Sequence, residues 1–185
     1  MSSIPAAERY TLADWRRWEG DWELIDGQPL AMAPSPSVSH QSVSFALAMM
    51  LGEKLRDCLL CQALFETDVE FGDDTVVRPD LLVICHAPEG ERITRAPSLI
   101  AEVVSPESAR RDEHTKFALY AEEGVGHYLL LYPQQRKVKA YHLHEGRYVK
   151  SGDFHAESHR IDLGPCAFQL DCSQLWVRLQ SGGGV

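Results

Sequence analysis

The chain has 185 residues, 44% hydrophobic and 24% charged, enough for one domain with its own core; disorder and a fibrous architecture are excluded. It carries 18 Lys and Arg against 27 Asp and Glu, a formal net charge of −9, which excludes broad nonspecific adhesion to DNA or anionic membrane. Residues 1–181 are expected to form a single α/β (α+β) domain, with the Gly-rich 182–185 a disordered tail.

In chain order, Thr11 with Asp14 three residues on predicts a capped helix to about Glu19. Trp22 to Ile25 and Pro29 to Ala33 flank Asp26-Gly27 and read as a β-hairpin, because the turn needs residues that tolerate positive φ. After a Pro and Ser loop, Ser37 or Ser39 caps a long helix to about Asp57, with His40 in its first turn and Phe45, Met49 and Leu51 among its apolar positions. Gln62 to Phe71 and Val76 to Cys85 are predicted strands around the turn Gly72-Asp73-Asp74. Ser98 to Val104 is apolar except for Glu102, as expected of a strand at the sheet centre, buried on both faces. A helix from Ser105-Pro106 to about Glu123, a strand His127 to Tyr132, and a hairpin of Lys137 to Leu143 with Tyr148 to Ser151 follow. A last strand near Cys166 to Leu170 and a short helix around Leu175 and Trp176 complete the series.

No apolar run reaches the roughly 18 residues of a membrane span, and the N-terminus lacks the apolar segment of a signal peptide, so a cytoplasmic location is expected. The odd set Cys58, Cys61, Cys85, Cys166 and Cys172 then predicts reduced, partly buried thiols instead of a disulfide framework. Cys58 and Cys61 form a CxxC, but Leu59 and Leu60 are not turn formers and no second CxxC completes four ligands, which argues against a zinc site.

Two carboxylates carry the chemical signal. Glu102 lies inside an apolar strand, and Asp80 follows Pro79 at the head of another; burying either ionised is costly without a partner or a metal. The loop from His86 to Pro97 allows the two strands to lie side by side, so the acids can converge on a hard cation such as Mg²⁺. Each carboxylate satisfied by a buried Arg or by backbone N–H groups is the alternative. Asp112, Lys116 and Tyr120 recur every four residues on one helix face, where Asp112 and Lys116 form either part of the site or a solvated ion pair. Glu23 is either a site carboxylate or exposed on its hairpin, and His40 either a phosphate or proton-transfer group or a surface residue.

The ordered series Trp22-Glu23-Leu24-Ile25-Asp26-Gly27, His40, Arg78-Pro79-Asp80-Leu81, Ala101-Glu102-Val103-Val104-Ser105-Pro106, Asp112, Lys116, Tyr120 and Gly124-Val125 resembles the Uma-type restriction-endonuclease family from about Tyr10 to Leu179. The resemblance implies the PD-(D/E)xK superfamily: a restriction-endonuclease-like core, a central mixed sheet flanked by helices with added hairpins. It also implies a Mg²⁺ or Mn²⁺ site on Asp80 and Glu102. The chain departs from the superfamily pattern at Val104, where a Lys is usual, so Lys116 would supply the amine from the helix.

The expected function is a metal-dependent endonuclease acting on nucleic acid, DNA above all. Asp80, Glu102, Lys116, Glu23 and His40 would be catalytic, with Asp112 and Tyr120 holding Lys116 in place, and Lys116→Ala would abolish cleavage with the fold intact. A twofold homodimer suits cutting of both strands, and no membrane is involved. A noncatalytic nucleic-acid-binding or protein-interaction module, or a hydrolase of another phosphodiester, remains the alternative.

Overall fold

The computed structural model describes residues 8–32 and 35–179; the expected tail 182–185 and the predicted strand end at Ala33 lie outside them. Its elements run α1 (Leu12–Trp15), β1 (Trp22–Ile25), β2 (Gln28–Ala31), α2 (Val38–Lys54), β3 (Gln62–Phe65), β4 (Val69–Phe71), β5 (Thr75–Val77) and β6 (Leu81–Ile84). Then follow β7 (Leu99–Val103), a π-helical turn Arg111–Thr115, α3 (Lys116–Glu122), β8 (His127–Tyr132), β9 (Lys137–His144), β10 (Arg147–Phe154), β11 (Ser158–Asp162) and β12 (Ala167–Asp171).

Six strands in the order β10-β9-β8-β7-β6-β3 form the central sheet, and β2-β1-β5-β4 form a second one. Only β7 and β8 run parallel in the central sheet, joined through α3; the other neighbours are antiparallel. The sheet is therefore mixed, and β7 is interior and buried throughout, as Leu99 to Val104 predicts.

Period-two alternation sorts the side chains between two cores. Leu81, Val83, Leu99, Ala101 and Val103 join Val43, Leu47 and Leu51 of α2 on one face. Leu82, Ile84 and Ile100 join Ile25, Val77, Leu119, Tyr120 and Tyr128 on the other. Glu102 has the parity of Ile100, so its carboxylate enters the second core, beneath α3 and the smaller sheet. The register pairs Leu81 with Ala101, and one step further along it sets Asp80 opposite Glu102.

Several elements differ from expectation for identifiable reasons. Each of the two strands predicted over 62–71 and 76–85 is divided, and its halves join different sheets. Glu66, at φ 44°, reverses the chain after β3, and Pro79, with no N–H for a ladder, separates β5 from β6. The first helix keeps its predicted Thr11–Asp14 capping box but stops at Trp15, because the chain turns at Gly20 (φ 88°) to enter β1. The helix expected from Ser105 starts a few residues later: Ser105 and Ser108 exchange side-chain to backbone bonds in a turn, helix begins at Ala109, and it is interrupted by the π-helical turn before α3. On α2 the inward residues are Val43, Ser44, Leu47 and Leu51. Phe45 and Met49, among its apolar positions, face solvent. The strand β11, paired with β12, was not legible in its polar sequence.

The cysteine expectation is also corrected. Cys58 is joined to Cys166 and Cys61 to Cys85 as disulfides, and Cys172 is the one free cysteine among the described residues. No helix among the described residues is long and apolar enough to cross a membrane.

Candidate active site

Four elements and one bend deliver the site. The hairpin β1–β2 turns at Asp26-Gly27, both at positive φ, and the four register pairs of that hairpin point Glu23 inward, 1% exposed. It is thus not the solvated hairpin carboxylate that its position near a turn permits. The Arg78-Pro79-Asp80 bend crosses from the small sheet to the central one and places Asp80 at the head of β6. β7 supplies Glu102, α3 supplies Lys116 and Tyr120, and the first turn of α2 supplies His40.

Lys116 Nζ lies 2.7 Å from Glu23 Oε1 and 2.9 Å from Glu102 Oε1. Tyr120 donates its hydroxyl to the same Glu102 oxygen at 2.9 Å. Glu102 Oε2 accepts the Asp80 N–H at 3.2 Å, and Asp80 Oδ2 accepts the Val103 N–H at 2.6 Å. The two acids therefore clamp each other's strands where the ladder runs out. His40 Nε2 stands 3.2 Å from Asp80 Oδ2, with Ser44 Oγ 3.4 Å from the other ring nitrogen.

Asp112 and Lys116 are both 2% exposed, which overturns the reading of a solvated pair: Lys116 bonds to Glu23 and Glu102 instead. The π-helical turn over Arg111–Thr115 adds a residue per turn just before Lys116. Asp112 is thereby buried, its carbonyl accepting from the Tyr128 hydroxyl at 3.0 Å.

Burial pushes Glu102 up to about 8, reinforced by Asp80, Asp112 and Glu23 and opposed by the Lys116 charge. Burial likewise raises Asp112. For Lys116, burial pulls the other way, but the charges of Glu102, Glu23 and Asp112 outweigh it and hold the ammonium protonated. Burial lowers His40, yet its bond to Asp80 and nearby carboxylates leave it above the ordinary imidazole value.

Sequence reasoning missed two arginines. Arg78 donates its N–H to Glu23 Oε1 at 2.9 Å and grips Asp68 and Asp21 with its guanidinium, fixing the bend before Asp80. Arg111 sits 3.8 Å from Glu23 Oε2 and 3.7 Å from Asp112 Oδ1. Arg78 stands beside Pro79 in the motif and was within reach of inspection. Arg111 carried no signal, because only the π-helical turn aims it at Glu23.

Fold and site together define a mixed α+β protein with a restriction-endonuclease-like core and a buried lysine–carboxylate cluster. A family profile described as "Uma2: Putative restriction endonuclease" matches residues 8–172, and the chain belongs to that family. A crystal structure titled as a putative nuclease belonging to DUF820, from Anabaena variabilis, superposes with a TM-score of 0.74 at 17% identity, covering 90% of this chain and 97% of that one; at that identity it shows the fold. No curated protein matches the chain.

Proposed function

We propose that this protein is a Mg²⁺- or Mn²⁺-dependent endonuclease that hydrolyses phosphodiester bonds in nucleic acid, with DNA as substrate. The observation that carries the reading is the Lys116 ammonium held at 2.7 and 2.9 Å between Glu23 and Glu102, with Asp80 bonded to Glu102 at the solvent edge. Family membership supports the nuclease reading.

Asp80 and Glu102 fit a hard divalent cation. The donors are carboxylate oxygens, which suit Mg²⁺ or Mn²⁺, and the Val103 and His40 contacts of the Asp80 side chain both fall on Oδ2, so Oδ1 could serve as a ligand. Charge also fits, since among the described residues Glu23, Asp80, Glu102 and Asp112 face Lys116 and Arg111 as the fixed cations in ion-pair range. Glu23 Oε2 is buried with no hydrogen-bond partner among the described residues, a free acceptor for a water or a second ion. Bound there, a cation would supply Lewis-acid polarisation of a phosphoryl oxygen and lower the pKa of a bound water.

The chain's own groups divide the remaining work. Lys116, kept charged by its acidic neighbours, is unsuited to accept a proton; buried behind the substrate edge, it orients Glu23 and Glu102. Tyr120 fixes Glu102 through the oxygen that Lys116 also contacts, and the Asp112 charge helps keep Lys116 protonated. Asp80 and His40, with 20% and 15% of their side chains exposed, form the edge that substrate reaches. There His40 is placed to contact phosphate or donate a proton. A twofold homodimer in the cytoplasm would present two such edges to the two strands of a duplex.

The test compares cleavage of supercoiled plasmid and single-stranded DNA by wild type and Asp80→Ala in Mg²⁺, Mn²⁺ or EDTA. Cation-dependent cutting that Asp80→Ala abolishes is the expected result. A wild type that cuts neither substrate under any of these conditions overturns the reading in favour of a binding module, to which the near-complete enclosure of Lys116 also points.

A further inference from the structure

The four paired cysteines come from three distant places in the chain, yet three of their sulfurs cluster and the fourth is bonded to one of those three. Cys58 and Cys61 follow α2, Cys85 directly follows β6, and Cys166 directly precedes β12. The two pairs touch, for Cys61 Sγ is 3.6 Å from Cys166 Sγ. The sulfurs of Cys58, Cys61 and Cys166 all lie within 4.8 Å of one another, and Cys85 is bonded to Cys61. Thiolates sharing one metal would be brought together in this way.

We propose that, with these thiols reduced, Cys58, Cys61, Cys85 and Cys166 form a tetrathiolate Zn²⁺ site. Zinc prefers four sulfur ligands in a tetrahedron with Zn–S about 2.3 Å, which sets neighbouring sulfurs about 3.8 Å apart. The 3.6 Å separation of Cys61 and Cys166 matches that edge. Cys61 and Cys85 sit one step beyond the Gln62–Ile84 pair of β3 and β6, with Cα atoms 4.0 Å apart. That is closer than the roughly 4.4 to 6.8 Å usual for a disulfide, whereas a metal between the sulfurs asks only that both point to the same side.

The objection raised by the sequence does not survive the structure. Leu59 and Leu60 do form a turn: Cys61 N–H donates to Cys58 C=O at 3.2 Å, and the two leucines project outward, 95% and 68% exposed. This is the backbone that a CxxC needs to offer both sulfurs to one ion. The missing second pair is supplied by single cysteines at the ends of β6 and the β11–β12 hairpin. The centre would tie α2, the central sheet and that hairpin together. It is separate from the carboxylate cluster, because Asp80 and Cys85 lie at opposite ends of β6, roughly 17 Å apart for an extended strand. Soft thiolates and hard carboxylates then select different metals.

The disulfides are the oxidised, metal-free form. Two equivalents of a dithiol reductant deliver four electrons and four protons to give four thiols, and Zn²⁺ uptake releases four protons. The test purifies the full chain in a phosphine reductant and measures zinc by elemental mass spectrometry, with Co²⁺ substitution read by absorbance. Expected are about one zinc per chain and the sulfur-to-cobalt charge-transfer and tetrahedral d–d bands of an all-thiolate site. Cys85→Ser and Cys166→Ser should each lose the metal, whereas Cys172→Ser and Asp80→Ala keep it. Should the reduced wild type, still folded by circular dichroism, take up neither Zn²⁺ nor Co²⁺, the proposal is overturned. Zinc that persists in both Cys85→Ser and Cys166→Ser overturns the assigned ligands.

Discussion

Replacing Lys116 by Ala removes the ammonium from between two carboxylates that are themselves 1% and 4% exposed. Among the described residues, Glu23 and Glu102 would then keep Arg111, Tyr120 and backbone donors alone to offset them. Removing one member of a buried pair typically costs about 3–5 kcal/mol, since the partner's desolvation is no longer compensated. With a urea m-value of about 2 kcal/mol/M, the unfolding midpoint should fall by roughly 1.5–2.5 M. The variant is thus expected to lose stability as well as cleavage, contrary to the intact fold that sequence alone suggests. Urea melts followed by circular dichroism measure the shift, and Lys116→Met with Glu23→Gln, which removes charge from both sides, should recover at least half of it. A midpoint for Lys116→Ala within about 0.3 M of wild type at unchanged m-value would refute the argument that Lys116 holds the cluster together.

Three further outcomes follow from the same geometry. Asp80→Asn keeps an acceptor for the Val103 N–H but loses its charge, so Mn²⁺ affinity measured by titration calorimetry should drop more than tenfold while the melting temperature changes little. Gly126→Ala would put a Cβ 2.9 Å from the Ser98 carbonyl where β8 enters beside β7; overpacking of this kind costs about 1–3 kcal/mol, seen as a lower urea midpoint. Glu113 is held below the usual carboxylate range by the Tyr132 hydroxyl and by Lys139. Its contribution is therefore complete above the unfolded value of 4.5 and lost as pH falls through the lower folded one. The stability gap between wild type and Glu113→Gln should be constant near neutrality and close in acid, and a gap that widens below pH about 4 would reverse the sign.

Much of this molecule is written locally. The alternation of Leu81 to Ile84 and of Leu99 to Val103 is a property of the chain, and a lone acid in such a run has to be explained by a partner or an ion wherever the strand ends up. Hence Glu102, Asp80 and the Lys116 face were legible, as were the capping box at Thr11 and the turn at Asp26-Gly27, whose signals span only a few residues. Tertiary structure decided what depends on distant neighbours. Whether Gln62 to Phe71 is one strand or two rests on a single positive φ at Glu66 and on which sheet has a free edge. Phe45 and Met49 are as apolar as Leu47 and Leu51, and only the position of the sheet against α2 selects which pair is buried. Arg111 reaches Glu23 because a π-helical turn rephases the helix, a deviation that carries no compositional mark. The cysteine pairs, separated by up to 108 residues, come together only because β6, α2 and the β11–β12 hairpin pack at one corner, and no spacing rule in a linear chain encodes an encounter between elements that far apart.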